Sequence, residues 1–351
     1  MTRNNLKTKF HSGFTLVEIL VALAIIGLIM GIATISFGMI RQKSRDIKRL
    51  KDINSVQAAL QMYFYNEGQY PDAITFGSTL TGSSSSSTYM AILPQNPTPK
   101  NDGICPNNEY SYQTTATSTS YRVDFCLSTA VGNTAAGKKC ATPQGILNQS
   151  CCSLPFTYGG VTYTGVEIGD QCWMTENLNI GDMILDSASA TDNGIIEKYC
   201  GNDNIDNCTN NGGLYPWDEA MGYVETDGAQ GICPNGWHLP TDAEEYTLEN
   251  YLTDSPNTCD AARLLAWDCA NAGEDLRTGD FGANFSGYRG MNGLFYDQSG
   301  ESAFWWSSSL HVSSPFSRML YPANTAVYRY DGDAWGAGGR LYGWGVRCIK
   351  N

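Results

Sequence analysis

The sequence is poor in histidine, in charged residues and in metal-ligand spacing. Only three histidines occur in 351 residues, so a His-rich metal site or a Ser-His-Asp triad has little to draw on. No Cys-x-x-Cys pair occurs, which excludes the ligand spacing of zinc ribbons and fingers. Charged residues amount to 16%, against about 25% in an average soluble protein. With abundant Gly, Ser, Thr, Asn and Tyr, this composition is typical of an exported, loop-rich protein with a preference for β-structure.

Positive charge is scarce beyond the first part of the chain. The net charge is −13, yet residues 1–52 hold nine basic and three acidic side chains, so residues 53–351 carry about −19. A nucleic-acid-binding surface needs an excess of Lys and Arg. The sequence therefore predicts that the C-terminal part does not bind nucleic acid.

Cysteine is absent from the first 104 residues, whereas twelve cysteines follow. An even number of cysteines, all in the later part of the chain, indicates that this part matures in an oxidising compartment. Metal ligation is the alternative, but close pairs such as Cys151 with Cys152 lack a regular ligand pattern. We therefore expect structural disulfides.

One long apolar run covers residues 14–37, with the sequence FTLVEILVALAIIGLIMGIATISF. At about 1.5 Å per residue it reaches roughly 36 Å, which predicts a membrane-spanning helix. Glu18 interrupts the run, and a carboxylate in hydrocarbon costs at least a few kcal/mol unless it finds a partner. Glu18 is therefore a candidate functional residue, although it could also extend to the membrane interface.

The segment KFHSGFTLVEILVALAIIGLI resembles the signal of type IV prepilins and the related pseudopilins. The resemblance implies that residues 1–13 form a leader, that prepilin peptidase cleaves after Gly13, and that Phe14 is then N-methylated. It also implies that Glu18 pairs with the Phe14 ammonium of a neighbouring subunit, which neutralises two costly charges. Expected partners are other pilin subunits, prepilin peptidase and the inner-membrane assembly machinery.

The expected topology places the C-terminal part outside. Six basic residues follow the span, and the positive-inside rule alone would favour the opposite orientation. The prepilin-like signal and the cysteines both argue for export, and we give them more weight. The expected location is a single-pass inner-membrane precursor, and then an extracellular or periplasmic filament.

An amphipathic pattern continues the helix beyond the span to about Asn66, where Gly68 ends it. The stripe consists of Ile47, Leu50, Ile53, Val56, Leu60 and Tyr63. Residues 45–71 resemble the helix end of major pseudopilins and short bacterial pilins, and MAILPQNP and YSYQTTATSTSYRVDFCL resemble the loop and strands that follow. Residues 38–140 are therefore expected to form a pilin-like domain, a long helix packed on a small antiparallel sheet.

A second domain is expected over residues 156–351, after a linker at 141–155. All eight tryptophans fall in it. Five segments in order, VEIGDQCWMTENL, CPNGWHLPTDAEEY, FSGYRG, FWWSSS and WGVRCIKN, resemble the Fibrobacter succinogenes major paralogous domain (FISUMP). That resemblance implies a C-type lectin-like α+β fold, with a helix at WHLPTDAEEY and a closing strand at GVRCIKN that pairs near the domain start. It also makes Cys233 and Cys348 a reasonable disulfide.

Binding is the expected role of this domain. Formylglycine-generating enzymes resemble it in fold, but their reactive cysteine pair has no match here, so catalysis is not expected. Tyr328, Tyr330, Trp335 and Tyr342 lie among small polar residues, a mixture that suits a glycan or protein ligand. The alternative is that such rings belong to the core. Asp331 and Asp333 offer oxygen ligands for Ca²⁺, although YDGD is not an EF-hand loop; no other cofactor is expected.

These features predict a type IV pilin-like filament subunit, in a minor or tip position, that displays a ligand-binding domain for surface adhesion. The alternative is a pseudopilin of a type II secretion or DNA-uptake machine with a structural, non-binding C-terminal domain. A third hypothesis, an enzyme of the formylglycine-generating type, has no residue-by-residue support.

Overall fold

The computed structural model describes residues 16–83, 87–105, 108–114, 118–254, 256–298, 300–330 and 339–350, with the backbone alone for residues 28–37. Several residues singled out by the sequence lie outside this part of the chain. They are Gly13, Phe14, Asp331, Asp333 and Trp335.

Helix α1 runs from Leu16 to Glu67 and confirms the predicted long N-terminal helix. It ends where expected, because Gly68 adopts φ 78° and its backbone N–H caps the carbonyl of Phe64 at 2.9 Å. The predicted span at 14–37 lies partly outside the described residues. Within the part of the chain that is described, no helix is both long and apolar enough to cross a membrane.

The C-terminal half of α1 packs on a small antiparallel sheet. A two-stranded hairpin, β1 (Leu80–Thr81) with β2 (Thr88–Met90), precedes it. The sheet itself has the order β3-β4-β5-β6, and all its pairs are antiparallel. Its strands are β3 (Ser111–Thr114), β4 (Tyr121–Leu127), β5 (Gly137–Thr142) and β6 (Gly145–Leu147). Apolar residues of the predicted helical stripe, including Ile53, Val56 and Leu60, are fully buried against this sheet.

The C-terminal part is rich in short strands and disulfides. Its strands are β7 (Phe156–Tyr158), β8 (Val161–Tyr163), β9 (Gly165–Ile168), β10 (Gln171–Met174), β11 (Asp182–Met183), β12 (Glu197–Lys198), β13 (Trp237–His238), β14 (Ala266–Asp268), β15 (Tyr288–Arg289), β16 (Phe295–Tyr296), β17 (Ala303–His311), β18 (Ser314–Leu320), β19 (Val327–Tyr330) and β20 (Ile349–Lys350). Its helices are α2 (Ile205–Asn211), α3 (Trp217–Ala220), α4 (Asp242–Leu252) and α5 (Ala272–Thr278). This α+β composition was expected from the sequence.

Two four-stranded sheets organise this part, with orders β13-β20-β10-β9 and β14-β19-β18-β17. The closing strand β20 pairs with β10 through Ile349 and Trp173, so the chain end returns to the domain start as the sequence predicted. Helix α4 begins within the WHLPTDAEEY segment, as the resemblance implied, and Thr241 caps it. The Thr241 hydroxyl accepts a hydrogen bond from the backbone of Glu244, whose side chain accepts one in return.

All twelve cysteines form disulfides. The pairs are Cys105–Cys126, Cys140–Cys151, Cys152–Cys172, Cys200–Cys208, Cys233–Cys348 and Cys259–Cys269. Cys233 with Cys348 is the pair that the resemblance suggested. The adjacent residues Cys151 and Cys152 cross-link in opposite directions, one to β5 and the other to β10. Residues 141–155, expected to be a linker, contain β6. Disulfides join this segment to β5 and to β10.

Candidate binding surface

A row of large side chains crosses one face of the sheet β14-β19-β18-β17. Trp267 lies opposite Tyr328, Tyr328 opposite Met319, and Met319 opposite Phe304. Because directly paired residues of antiparallel strands point to the same side, these four side chains share a face. The Trp267 end of this row is only partly covered, since Trp267 and Tyr328 are both half-buried.

Three more rings enlarge this surface, which we call the aromatic face: Trp267, Tyr288, Tyr296, Tyr321 and Tyr328. The Trp267 ring centroid lies 5.2 Å from that of Tyr328 and 5.6 Å from that of Tyr321, which is 40% exposed. On the hairpin β15–β16, Tyr288 and Tyr296 stack at 5.1 Å. Rigid rings that are partly exposed give contact area at low entropic cost, so the face is suited to binding.

A carboxylate lies among these rings. Burial, and then the charge of Asp297, raises the pKa of Tyr288 to about 12, and the same two causes raise the pKa of Tyr321. Asp297 is held in place by Ser302, whose hydroxyl donates to its Oδ2 atom at 2.8 Å. The aromatic face thus combines apolar rings, phenol hydroxyl groups that stay protonated at neutral pH and a fixed hydrogen-bond acceptor.

The opposite face of the same sheet is held by a buried ion cluster. Arg318, which has no exposed side-chain area, pairs with Asp242 at 2.9 Å and with Glu249. Arg329 also pairs with Asp242, at 2.6 Å. Both acids belong to α4, so the cluster fixes that helix against β18 and β19. A sheet fixed from behind gives the aromatic face a rigid support.

The sequence suggested that Tyr330 and Tyr342 are exposed binding residues, but both are buried. Each is only 8% exposed, and Tyr330 belongs to β19. Both pack on Trp344, with ring centroids 5.6 Å and 5.4 Å away. The reason is positional: Tyr330 shares the strand face of Tyr328 but lies two residues closer to the interior, where Trp344 and Trp306 cover it. The interpretation of these two rings as core, left open above, is the correct one.

Of the predicted binding residues, Tyr328 lies on the aromatic face. The sequence patterns did not point to Trp267, Tyr288 or Tyr296. The hairpin pattern around the glycine at 293, YRGMNGLFY, was a signal that could have brought Tyr288 and Tyr296 together. Trp267 and Tyr321 meet Tyr328 through long-range strand pairing, which no local pattern reveals.

One group of possible metal ligands occurs among the described residues. Glu249, Cys259 and Cys269 place ligand atoms within 4.8 Å of one another. The two cysteines form a disulfide, whereas metal ligation requires thiolates. Glu249 is in addition paired with Arg263 at 2.5 Å. This group is therefore structural in the oxidised protein.

Glu18 lies in the first turn of α1 and is exposed in this single chain. The cleavage and methylation positions, Gly13 and Phe14, precede the described part of the chain.

The molecule is thus a disulfide-rich α+β domain carried on a long N-terminal helix. The Fibrobacter succinogenes major domain matches residues 166–350, and the chain belongs to this family. The prokaryotic N-terminal methylation motif matches residues 8–34. No curated protein and no solved structure matches the chain.

The methylation motif indicates how the protein is processed and where it is located. It implies processing by prepilin peptidase, use of the pilus assembly machinery and a membrane-inserted precursor whose later part is extracytoplasmic. The six disulfides are consistent with that location. A pilin-like motif also suggests a structural protein.

Proposed function

We propose that the protein is a type IV pilin-like filament subunit, in a minor or tip position, that displays its FISUMP domain as an adhesive module. The observation that carries this proposal is the aromatic face on a domain whose chain begins with a methylation motif. The motif supports assembly, and the half-exposed rings support binding.

The aromatic face fits a glycan or a protein surface. Aromatic rings stack on the apolar faces of sugars or fill pockets of a protein, and the Asp297 carboxylate accepts hydrogen bonds. Tyr328 contributes directly, whereas Tyr330 and Tyr342 support the face from the core. Trp335, Asp331 and Asp333 follow β19 in the sequence, and a Ca²⁺ ion bound by the two aspartates remains part of the proposal.

Processing and assembly use the N-terminal segment. Cleavage after Gly13 creates an ammonium at Phe14, and Glu18 supplies the carboxylate that neutralises it in a neighbouring subunit. The position of Glu18 within the matched methylation motif, residues 8–34, supports this pairing.

A C-type lectin-like fold is the architecture that we propose for the second domain. Three features support it: the chain end pairs with a strand near the domain start, helix α4 follows the central WHLP segment, and a disulfide joins Cys233 to Cys348.

Two experiments test the proposal. Immunogold labelling of the C-terminal domain on whole cells should mark filament tips, and Trp267→Ala or Tyr321→Ala should reduce adhesion at least tenfold with filament number unchanged. Tyr251→Ala is the matched control, because Tyr251 is 64% exposed but lies on α4, behind the sheet. Normal adhesion by both face variants would contradict the binding role.

The alternative, a pseudopilin with a structural cap, is favoured by one observation. The Cys140–Cys151 and Cys152–Cys172 disulfides fasten the second domain closely to the first, as a cap requires. This alternative predicts no extracellular filament label, and a loss of secretion or DNA uptake when the gene is deleted.

A further inference from the structure

Lys198 is buried in an unusual environment for a lysine. Its residue exposure is 6%, and among the described residues its ammonium donates a hydrogen bond to the side-chain oxygen of Asn179 at 2.7 Å and forms no ion pair. An ammonium buried without a carboxylate costs several kcal/mol. Burial lowers the pKa of Lys198, while the charge of Asp182 acts in the opposite direction. The neutral amine, which is a nucleophile, is thus favoured more than in an ordinary lysine.

The backbone segments near Lys198 and near Asn179 lie in close contact. Strand β12, with Lys198, runs parallel to β11, and the backbone N–H of Asp182 donates to the carbonyl of Ile196 at 2.8 Å. At Gly181 the approach is so close that a Cβ atom would lie 2.2 Å from the Ile196 carbonyl oxygen. The contact between Lys198 and Asn179 is therefore imposed by the backbone.

Asn179 is held as firmly as its partner. Its own backbone N–H donates to the Tyr163 hydroxyl at 2.9 Å, and the N–H of Ile180 donates to the Tyr215 hydroxyl at 2.8 Å. Both tyrosines are fully buried. Two reacting groups held in contact by a rigid frame gain a high effective concentration, which can replace a catalyst.

We propose that Lys198 and Asn179 form an intramolecular isopeptide bond. The Lys198 ammonium first gives a proton to water or to the Asp182 carboxylate. Its Nζ atom then attacks Cγ of Asn179, the bond from Cγ to Nδ2 breaks, and Nδ2 leaves as ammonia with a proton from the attacking amine. The product is a neutral amide, and no oxidant, cofactor or second substrate is consumed.

The bond would replace a costly buried charge with a neutral group and close a covalent loop around the exposed stretch that follows β11. Residues 187–195 of that stretch are largely exposed, and an extracytoplasmic domain meets proteases there. A covalent closure at its base keeps the core intact even after a cut within it.

Lys139 is a natural control. It is also buried, with 1% exposure, and burial lowers its pKa. Its ammonium, however, donates to the backbone carbonyls of Ala136 and Lys138, each at 3.0 Å. Both acceptors belong to backbone peptide groups, which have no NH₂ group that could leave as ammonia. Lys139 should therefore remain a free lysine under conditions in which Lys198 reacts.

Tryptic mapping of the full-length mature protein decides the matter. Lys198 is the only trypsin site between Lys139 and Arg263 in the sequence. After denaturation, reduction and alkylation, an unlinked chain gives two peptides, 140–198 and 199–263. A linked chain gives one peptide, 140–263, lighter than its sequence mass by one ammonia molecule, and cleavage after Lys139 shows that digestion was complete.

Asn179→Ala removes the acceptor and should restore complete cleavage after Lys198. Recovery of the wild-type chain entirely as peptides 140–198 and 199–263 overturns the proposal, and this result does not depend on whether any variant folds. A single 140–263 peptide of unchanged mass overturns it equally, because it would be a missed cleavage. Neither outcome depends on adhesion, so this experiment tests the isopeptide bond independently of the proposed function.

Discussion

Arginine–carboxylate clusters are buried both in residues 38–140, which we call the first domain, and in residues 156–350, which we call the second domain. At each cluster one carboxyl group has a shifted pKa, but the two shifts have opposite directions. In the first domain, Arg49 pairs with Asp46 at 2.7 Å and with Asp102 at 2.9 Å. Hydrogen bonds and charges from Arg45 and Arg49 lower the pKa of Asp102. In the second domain, by contrast, burial raises the pKa of Glu245 to about 8, although Arg318 opposes this. Both clusters fasten a helix, yet beside the second one lies a carboxyl group whose pKa is raised instead of lowered.

The difference teaches how each helix is anchored. Asp46 on α1 accepts hydrogen bonds from the backbone N–H groups of Ser128 and Thr129, so the first cluster ties the helix to a loop end. Glu245 on α4 instead accepts from the Trp305 indole at 2.8 Å, deep between helix and sheet. Asp102 is buried but paired with Arg45 and Arg49, which favours its ionised form. At Glu245 burial is the largest influence and favours the neutral acid.

The largest effect is expected when Arg318 is replaced. Arg318→Met leaves Asp242 and Glu249 buried with less positive charge, and removal of one partner from such a cluster costs about 3–5 kcal/mol. Because all eight tryptophans lie in the second domain, tryptophan fluorescence during urea unfolding reports this domain selectively. Arg49→Met should leave that fluorescence transition nearly unchanged while destabilising α1, measured by circular dichroism. A common shift in both signals would show that the domains unfold as one unit.

Sequence patterns predicted local features well. The helix end at Gly68 and the helix in the WHLPTDAEEY segment depend on neighbouring residues, so φ preference and hydrogen bonding within a few positions decide them. The binding surface was harder, because Trp267 and Tyr321 reach Tyr328 only after strands distant in the chain have paired. Disulfide connectivity has the same limit: Cys151 and Cys152 are adjacent in sequence, but their partners Cys140 and Cys172 lie in different sheets. Nor does any local pattern bring Asn179 to Lys198.

The paired disulfides should give the next largest effects. Cys152→Ala with Cys172→Ala opens a 20-residue loop and should lower the stability of the second domain by about 3 kcal/mol. Cys140→Ala with Cys151→Ala opens an 11-residue loop and should act mainly on the first domain, by slightly less. The same two signals, fluorescence and circular dichroism, separate the effects. If the loss of either disulfide lowered the stability measured by fluorescence and by circular dichroism equally, the two domains would unfold as one unit.

The pH contrast gives a smaller effect. The folded state holds the Glu245 proton up to a pKa of about 8, whereas a glutamate in the unfolded chain releases it near its ordinary pKa of 4.5. Stability from this group is thus complete below pH about 4.5 and is lost as pH rises towards 8, by about 2 kcal/mol after allowance for relaxation. Glu245→Gln should flatten this fall in fluorescence-detected unfolding. An unchanged slope in the variant would show that another group is responsible.

Asp102 should show the opposite sign in the first domain. Because its folded pKa is lowered from 3.8, the stability that it supplies is present above that value and is lost as pH falls through the folded pKa. Asp102→Asn should weaken α1 by about 1–2 kcal/mol at pH 7 and by less in acid, when measured by circular dichroism. A variant penalty that is constant from pH 7 to pH 3 would contradict the ionised role of Asp102.

The smallest expected effects lie at the junction, where two ion pairs join the domains. Lys350 and Asp124 meet at 2.7 Å, with side chains 7% and 25% exposed, and Asp124 also accepts the backbone N–H of Cys151. Lys138 and Glu167 meet at 3.1 Å but are 37% and 32% exposed, so water screens them more. Lys350→Met should therefore cost about 1 kcal/mol and Lys138→Met less than about 0.5 kcal/mol. Equal losses in urea unfolding of the two variants would show that burial does not set the strength of the pairs that hold the domains together.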